Sequence, residues 1–582
     1  MKQYGTAQKA VPYFKHGGYE MDFHTLKYER PDLDHLICTM DSASDRLSSA
    51  ATADEAFEIL QEVNRVRNHA FTMMTIAEIR NSLNTTDSFY ETEQDYYDEH
   101  LPQIEPANLK LCRALVNMKC RKDLEERIGR QLFDLADIRI QSFRDEMIPL
   151  MVEENRLTSE FQKLEASAAV PFMGKTCNLS DLIKYMRSDD RTVRKDAYHA
   201  YAGFYASHEA DFDRIYDSLV HLRHRQAVLL GYENYIPLGY LRMSRQGYGP
   251  DQVALFRDQV ARDLVPVCTR IRERQREGIG LDKIRYYDEN VTFPDGNPVP
   301  KDPPETIVEN AGKMFRELSS ESGEFFDMMR KGNLMDLVSR PGKAHGGYCT
   351  FLPDYKVPFI FSNFNGTDAD VEVLTHESGH AFQAYMTSLD NEIPEYGFST
   401  SEAAEIHSGS MEFFTYPWME LFFGDGADRY RFQHAASQIC FIPYGVLVDE
   451  FQHRVYAEPD MTPDERKQVW RELERKYLPE RDYDGEEIFE KGGFYFQKQH
   501  IFRYPFYYID YTFAYMASFE FFARARTDRA SAWRDYMKLC RLGGKKRYLE
   551  LLSEAGLSSP FSDGYVKKCV GPIVDYLNEL NV

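Results

Sequence analysis

The chain has no surplus of positive charge, no paired cysteine spacing and no long apolar run. Its 70 Lys and Arg face 93 Asp and Glu, a net charge of −23, so a phosphate backbone would meet repulsion over most of the surface. No nucleic-acid partner is expected. Nine cysteines run from Cys38 to Cys569 with no Cys-x-x-Cys pair and an odd total, which suits reduced thiols in a reducing compartment. The longest apolar runs, such as Phe441 to Val448, are far too short to span a bilayer. Segment 1–14 is polar and broken by Gly5 and Pro12, unlike a signal peptide. These absences predict a cytoplasmic protein with no membrane partner.

What is present is mostly helical patterning. At 582 residues the chain is long enough for two lobes with large cores. Thr52 with Glu55 reads as a capping box, followed by Ile59, Val63 and Val66 at helical spacing. Segment 167–179, with Pro171, Gly174 and Asn178, interrupts the helical run. A lobe boundary is therefore placed there, giving an N-terminal helical lobe (1–170) and a second domain (171–582). The proline-rich stretch 293–304 reads as loop. The clearest β signal lies between Gly342 and Asn365, where Gly346 to Phe351 and Val357 to Phe361 read as strands around a Pro353-Asp354 turn. The predicted class is mainly α, with a small β-sheet beside the helix that follows.

That helix carries Thr375-His376-Glu377-Ser378-Gly379-His380, a His-Glu-x-x-His pattern. Residues four apart share a helix face, so His376 and His380 can converge on one zinc ion with Glu377 beside them. Thr367 with Asp370 is the expected cap. Gly379 costs roughly 1 kcal/mol of helix propensity relative to Ala, which signals a close approach of backbone or ligand. With 16 His in the chain, the pattern arises by chance in about one of twenty chains of this composition, so a third ligand is needed. A second helix, read as Ser399 to Thr415 with Ser399 and Glu402 as its cap, aligns Glu402, Glu405 and Glu412 on roughly one face. Helix geometry does not choose between Glu402 and Glu405. Glu412 is a candidate to orient a ligating histidine, Asp370 and Glu372 read as charges favoured by the helix dipole, and His407 reads as structural.

The runs Gly346-Gly347-Tyr348-Cys349-Thr350, Asn363-Phe364-Asn365-Gly366-Thr367 and His376 to His380, with Glu405, resemble the oligoendopeptidase F family, relatives of thimet oligopeptidase. The likeness looks continuous from about Asp181 to the C-terminus. In that family the third zinc ligand is a Glu 25 positions after the second histidine, which lands on Glu405. The resemblance also implies a deep channel between helical lobes, admitting short unfolded peptides, and a C-terminal patch where a histidine and tyrosines face the zinc. Here the matching stretch runs from His500 to Tyr511. Tyr504, Tyr508, Tyr511 and Tyr515 recur at helical spacing, with Pro505 placing Tyr504 at or before the helix start; Tyr515 reads as core.

The resulting expectation is an endopeptidase holding one zinc ion through His376, His380 and Glu405. Glu377 would take a proton from the attacking water and return it to the leaving amine. His500, Tyr508 and Tyr511 would donate to the developing oxyanion. Gly346, Gly347 and Tyr348, with Tyr504, would bind substrate, the strand by pairing its edge with an extended peptide. Gly492-Gly493 reads as a mobile loop or a turn. The competing readings are a zinc carboxypeptidase or aminopeptidase, which needs a charged pocket for a peptide terminus, and a catalytically silent peptide-binding protein.

Overall fold

A computed structural model describes residues 21–344, 346–580 and 582; the 1–14 segment considered above lies outside them. The chain is 72% helical, as its patterning predicts, and the helices enclose two hydrophobic cores.

The smaller core is built by Leu33–Ser49, Ala53–Leu83, Glu105–Asn117 and Gln131–Ser142, which bury Leu36, Leu47, Val63, Leu111 and Phe133 against one another. Their starts follow local chemistry. Asp32 accepts from the His35 N–H at 2.9 Å, and half of the Thr52–Glu55 box forms: the Glu55 N–H donates to Thr52 at 3.2 Å, while the Glu55 carboxylate takes the Ala51 N–H at 2.9 Å and not that of Thr52. Helix Ile148–Ala166 instead buries Leu157 and Phe161 in the larger core, where Phe161 stacks on Phe502. At residue 170 the interruption of the helical run is a short hairpin, β1 (Val170–Phe172) and β2 (Lys175–Cys177). A groove of about 690 Å³ runs along the junction, lined by Leu135, Ile138, Arg139, Met151 and Val152 and by Arg242 of the larger body.

A three-stranded sheet lies in the larger body, ordered β3 (Met335–Val338), β5 (Val357–Phe364), β4 (Tyr348–Leu352). β4 and β5 are the strands read from sequence. β3, too short to signal itself, joins β5 in parallel with Met335 opposite Ile360, and β4 pairs antiparallel with Tyr348 opposite Phe361. β5 is central and buried nearly throughout, consistent with its unbroken Val-Pro-Phe-Ile-Phe run. β4 is an edge strand.

The motif helix, Ala369–Asp390, packs on β5 and β4. Its expected Thr367 cap does not form. Asp370 reaches back instead, accepting from the backbone N–H groups of Asn365 and Gly366 at 2.9 and 2.8 Å, which closes the loop between strand and helix. After it, the Tyr396 hydroxyl accepts the Leu132 N–H at 3.0 Å and donates to the Gly129 carbonyl at 3.4 Å. This pins the smaller core to the segment leading into the carboxylate helix.

Candidate active site

Gly379 sets the geometry. A Cβ built there would lie 2.6 Å from the His407 carbonyl oxygen and 2.6 Å from Ser408 Cα, so only glycine lets the motif helix cross the carboxylate helix, Ser401–Phe414, backbone to backbone. The close approach inferred from sequence is thus to backbone. It brings Glu405, one turn before the crossing, to the two imidazoles.

Glu405 Oε2 stands 3.4 Å from Nε2 of His376 and 3.4 Å from Nε2 of His380. Donor atoms of the three residues all lie within 4.8 Å of one another. Ligand atoms about 2.0–2.2 Å from a tetrahedral zinc are separated by roughly 3.3–3.6 Å, so this donor set fits such an ion. The second carboxylate of the pattern is also present: His376 Nδ1 donates to Glu412 Oε1 at 2.6 Å, leaving Nε2 to face Glu405. Burial pushes the Glu412 carboxyl up, but hydrogen bonds from His376 and His434 outweigh it and hold it below the usual carboxylate range. Glu405 is likewise held well below that range, against burial, by His380 and His376.

Glu402 goes elsewhere. The Ser399–Glu402 cap is not made: the helix begins at Ser401 with Thr400 before it and no side-chain cap. Glu402 is fully buried, accepts from the Tyr248 hydroxyl at 3.1 Å, and burial with the neighbouring Asp510 pushes its carboxyl up to about 8. It is a buried core acid. His407 is also core, with Nδ1 3.6 Å from Cys540 Sγ and burial taking its imidazole down to about 3. Glu372, read as a dipole charge, instead accepts from Gln438 at 3.0 Å.

Glu377 is 8% exposed, and among the described residues no hydrogen bond or ion pair ties down its carboxylate. Burial raises its pKa, with His376 and His380 opposing. Gly347 borders it: a Cβ there would sit 3.8 Å from Glu377 Oε1 and 3.4 Å from the Phe361 carbonyl. Gly346, at φ +96°, has open space around it, and its carbonyl accepts from Asn363 at 2.9 Å. The Tyr348 ring stacks on Phe361, centroids 4.9 Å apart.

The third contributor is the turn before helix Tyr508–Leu542. Arg223, buried and paired to Glu154 at 2.7 Å, donates to the Phe502 carbonyl at 2.5 Å and fixes that turn. Phe506 takes φ +67°, a conformation costly for a bulky side chain. It is held there by its N–H on Gln452 at 2.5 Å, by Arg245 on its carbonyl, and by its ring against Gly239. The consequence is to aim Tyr507 at the site: its hydroxyl donates to Glu405 Oε1 at 2.7 Å. Sequence spacing selected Tyr508 and Tyr511 and passed over Tyr507; the constrained turn at Phe506, visible only in the backbone, is the signal for it. Tyr508 accepts from Lys498 Nζ at 3.0 Å. Tyr511 lies against Tyr507, ring centroids 5.2 Å apart. The His500 ring lies 4.9 Å from that of Tyr508 and 5.8 Å from that of Tyr507; its Nδ1 is buried without a partner, and burial beside Lys498 and Arg503 lowers its pKa to about 3. Tyr504 is 48% exposed, at the end of the short helix Gln499–Arg503. Gly492, at φ +105°, lies where a Cβ would meet the Lys467 carbonyl at 2.0 Å, so the double glycine is a packed turn. All nine cysteines are free, and among the described residues no helix is long and apolar enough to cross a membrane.

Two imidazoles and a carboxylate converging beside a free acid, in a mainly helical body, form the kind of centre that a metallopeptidase uses. The chain belongs to peptidase family M3: the model of that family matches residues 184–571, and that of the peptidase M3 N-terminal domain matches residues 23–143. It is therefore a peptidase, and the family implies a divalent metal. Oligopeptidase PepF of Bacillus subtilis (strain 168) is 20% identical over 543 residues, covering 87% of this chain and 78% of that protein. The solved structure of PZ peptidase A with an inhibitor superposes with a TM-score of 0.92 at 48% identity, covering 96% of this chain and all of that one. Oligoendopeptidase-F from Enterococcus faecium shares the fold, with a TM-score of 0.61 at 15% identity over 94% of this chain and 98% of its own.

Proposed function

We propose that the protein is a zinc-dependent oligoendopeptidase that hydrolyses internal bonds of short, unfolded peptides. The observation that carries this reading is the approach of one Glu405 oxygen to both motif imidazoles, with the Glu377 carboxylate beside the Gly347 backbone. His376, His380 and Glu405 would hold one zinc ion, which when bound supplies Lewis acidity toward a carbonyl and a water.

The chain's own groups do the rest. The Glu377 carboxylate accepts the proton of the attacking water and passes it to the departing amine nitrogen, a role favoured by its raised pKa. The neutral His500 and the hydroxyls of Tyr508 and Tyr511 donate to the oxyanion. Lys498, bonded to the Tyr508 oxygen, strengthens that hydroxyl as a donor. Tyr507 orients Glu405. An extended peptide pairs with the open edge of β4, where Gly346 and Gly347 keep side chains out of the way and Tyr348 contributes its backbone. The exposed Tyr504 ring, 6.3 Å from that of His500, contacts substrate. Binding by main-chain pairing needs an unfolded segment and no free terminus, which favours internal cleavage. Nine free thiols support a cytoplasmic site of action.

Internally quenched peptides of graded length, with the products mapped by mass spectrometry, test this. Cleavage at internal bonds, unaffected by acetylating the N-terminus or amidating the C-terminus, is expected. Release of single terminal residues, abolished by those blocks, would establish an exopeptidase instead.

A further inference from the structure

We propose that His434 is a positioning residue of the metal site, holding His376 in its ligating orientation through Glu412 and held in turn by Tyr416. The inference rests on the reading of His376 as a ligand. His434 is 4% exposed and sits on a separate helix, Ala427–Ala457. Its Nε2 lies 2.7 Å from Glu412 Oε2, while the other Glu412 oxygen takes His376 Nδ1 at 2.6 Å. One carboxylate therefore spans two imidazoles. Each Glu412 oxygen takes one imidazole nitrogen, Nε2 of His434 and Nδ1 of His376, so the carboxylate links the two rings and leaves His376 Nε2 facing Glu405. On the other side of the ring the Tyr416 hydroxyl lies 2.7 Å from His434 Nδ1 and closes the hydrogen-bond chain. The ring is clamped between Tyr430, nearly parallel at 5.7 Å, and the edge of Phe413 at 5.4 Å.

Glu372, Glu412 and His434 also present donor atoms within 4.8 Å of one another. A second cation there is a poorer reading, because both Glu412 oxygens and both His434 nitrogens are already engaged in hydrogen bonds, and Gln438 occupies Glu372. The cluster reads as a fixed hydrogen-bond chain: Tyr416 on His434, His434 on Glu412 Oε2, and His376 on Glu412 Oε1. Removing the far imidazole leaves Glu412 Oε2 buried without its partner, free to rotate and release the His376 ring. A histidine that merely filled space would affect packing and leave metal affinity alone.

The test is zinc affinity of the full chain, measured by competition with a chromogenic chelator, together with the melting temperature of the metal-free protein. His434→Leu is expected to weaken zinc binding about 10–100-fold. His434→Gln, whose amide still donates to Glu412, is expected to recover most of that loss at a similar melting temperature. Wild-type affinity in His434→Leu, or equal losses in both variants, would overturn the proposal. Should His434→Leu fail to fold, Tyr416→Phe decides: weakened zinc binding supports the proposal and unchanged binding refutes it. His376→Ala, run in parallel, separates this inference from the reading beneath it. If His376→Ala binds zinc as wild type does, the metal-site assignment itself fails. If only His376→Ala loses zinc, the assignment stands and the His434 role falls.

Discussion

The Tyr507 hydroxyl donates to Glu405 Oε1 at 2.7 Å, while the other oxygen of that carboxylate faces His376 and His380. The carboxylate is thus aimed from behind by a residue on a strained turn. Tyr507→Phe deletes this hydrogen bond together with the hydroxyl's bond to Tyr511. It is expected to lower zinc affinity about 10–100-fold with little change in melting temperature, as chelator competition and thermal unfolding would show. Unchanged affinity would make Tyr507 a bystander to the ligand.

Glu377 is assigned to proton transfer and not to metal binding. Glu377→Gln keeps the size of the side chain and removes its basicity, so zinc content should stay at the wild-type level. The turnover rate should fall by about 10²–10⁴. Retained activity in a zinc-loaded variant would dismiss the assignment.

The helix crossing at Gly379 predicts a stability effect. A methyl group there meets the His407 carbonyl at 2.6 Å, and backbone cannot move aside as a flexible side chain can. Overpacking of this kind costs about 1–3 kcal/mol or more, against roughly 1 kcal/mol regained in helix propensity. Gly379→Ala should therefore lower the denaturant midpoint and weaken zinc binding together. A variant as stable as wild type would show that the helices can separate freely.

Acid sensitivity should pass through Glu154. Burial pushes its carboxyl up, but Arg223 and Arg242 overcome this and hold it at about 2. A carboxyl depressed in the folded state stabilises fully above its unfolded pKa, about 4.3, and loses that contribution as pH falls through about 2. The contribution is about 3 kcal/mol. The gap in urea midpoint between wild type and Glu154→Gln should be constant above pH 5 and narrow toward pH 2. A pH-independent gap would locate the effect in packing alone.

The mainly helical class, the motif helix and the two longer strands of the sheet were legible because each rests on local periodicity. His376 and His380 are fixed by their four-residue spacing, and Gly379 announced the close approach through its cost to the helix. Glu405 was not separable from Glu402 on one helix face; the resemblance singled it out, and the structure shows Glu402 taken up by Tyr248. The Ser399 and Thr367 caps failed because Glu402 is drawn into the core and Asp370 serves the preceding loop instead. Tyr507 and His434 were illegible for a common reason. Their positions depend on a strained turn and on the packing of a distant helix, and neither leaves a periodic trace in the residues around it.

The most direct test is bound zinc per chain, measured by elemental analysis after dialysis, for wild type and for His376→Ala, His380→Ala and Glu405→Ala. The account predicts one zinc ion in the wild type and close to none in each variant, with peptide cleavage lost in parallel. Variants that keep a full equivalent of zinc, or a wild type that cleaves peptides with no metal bound, would contradict it.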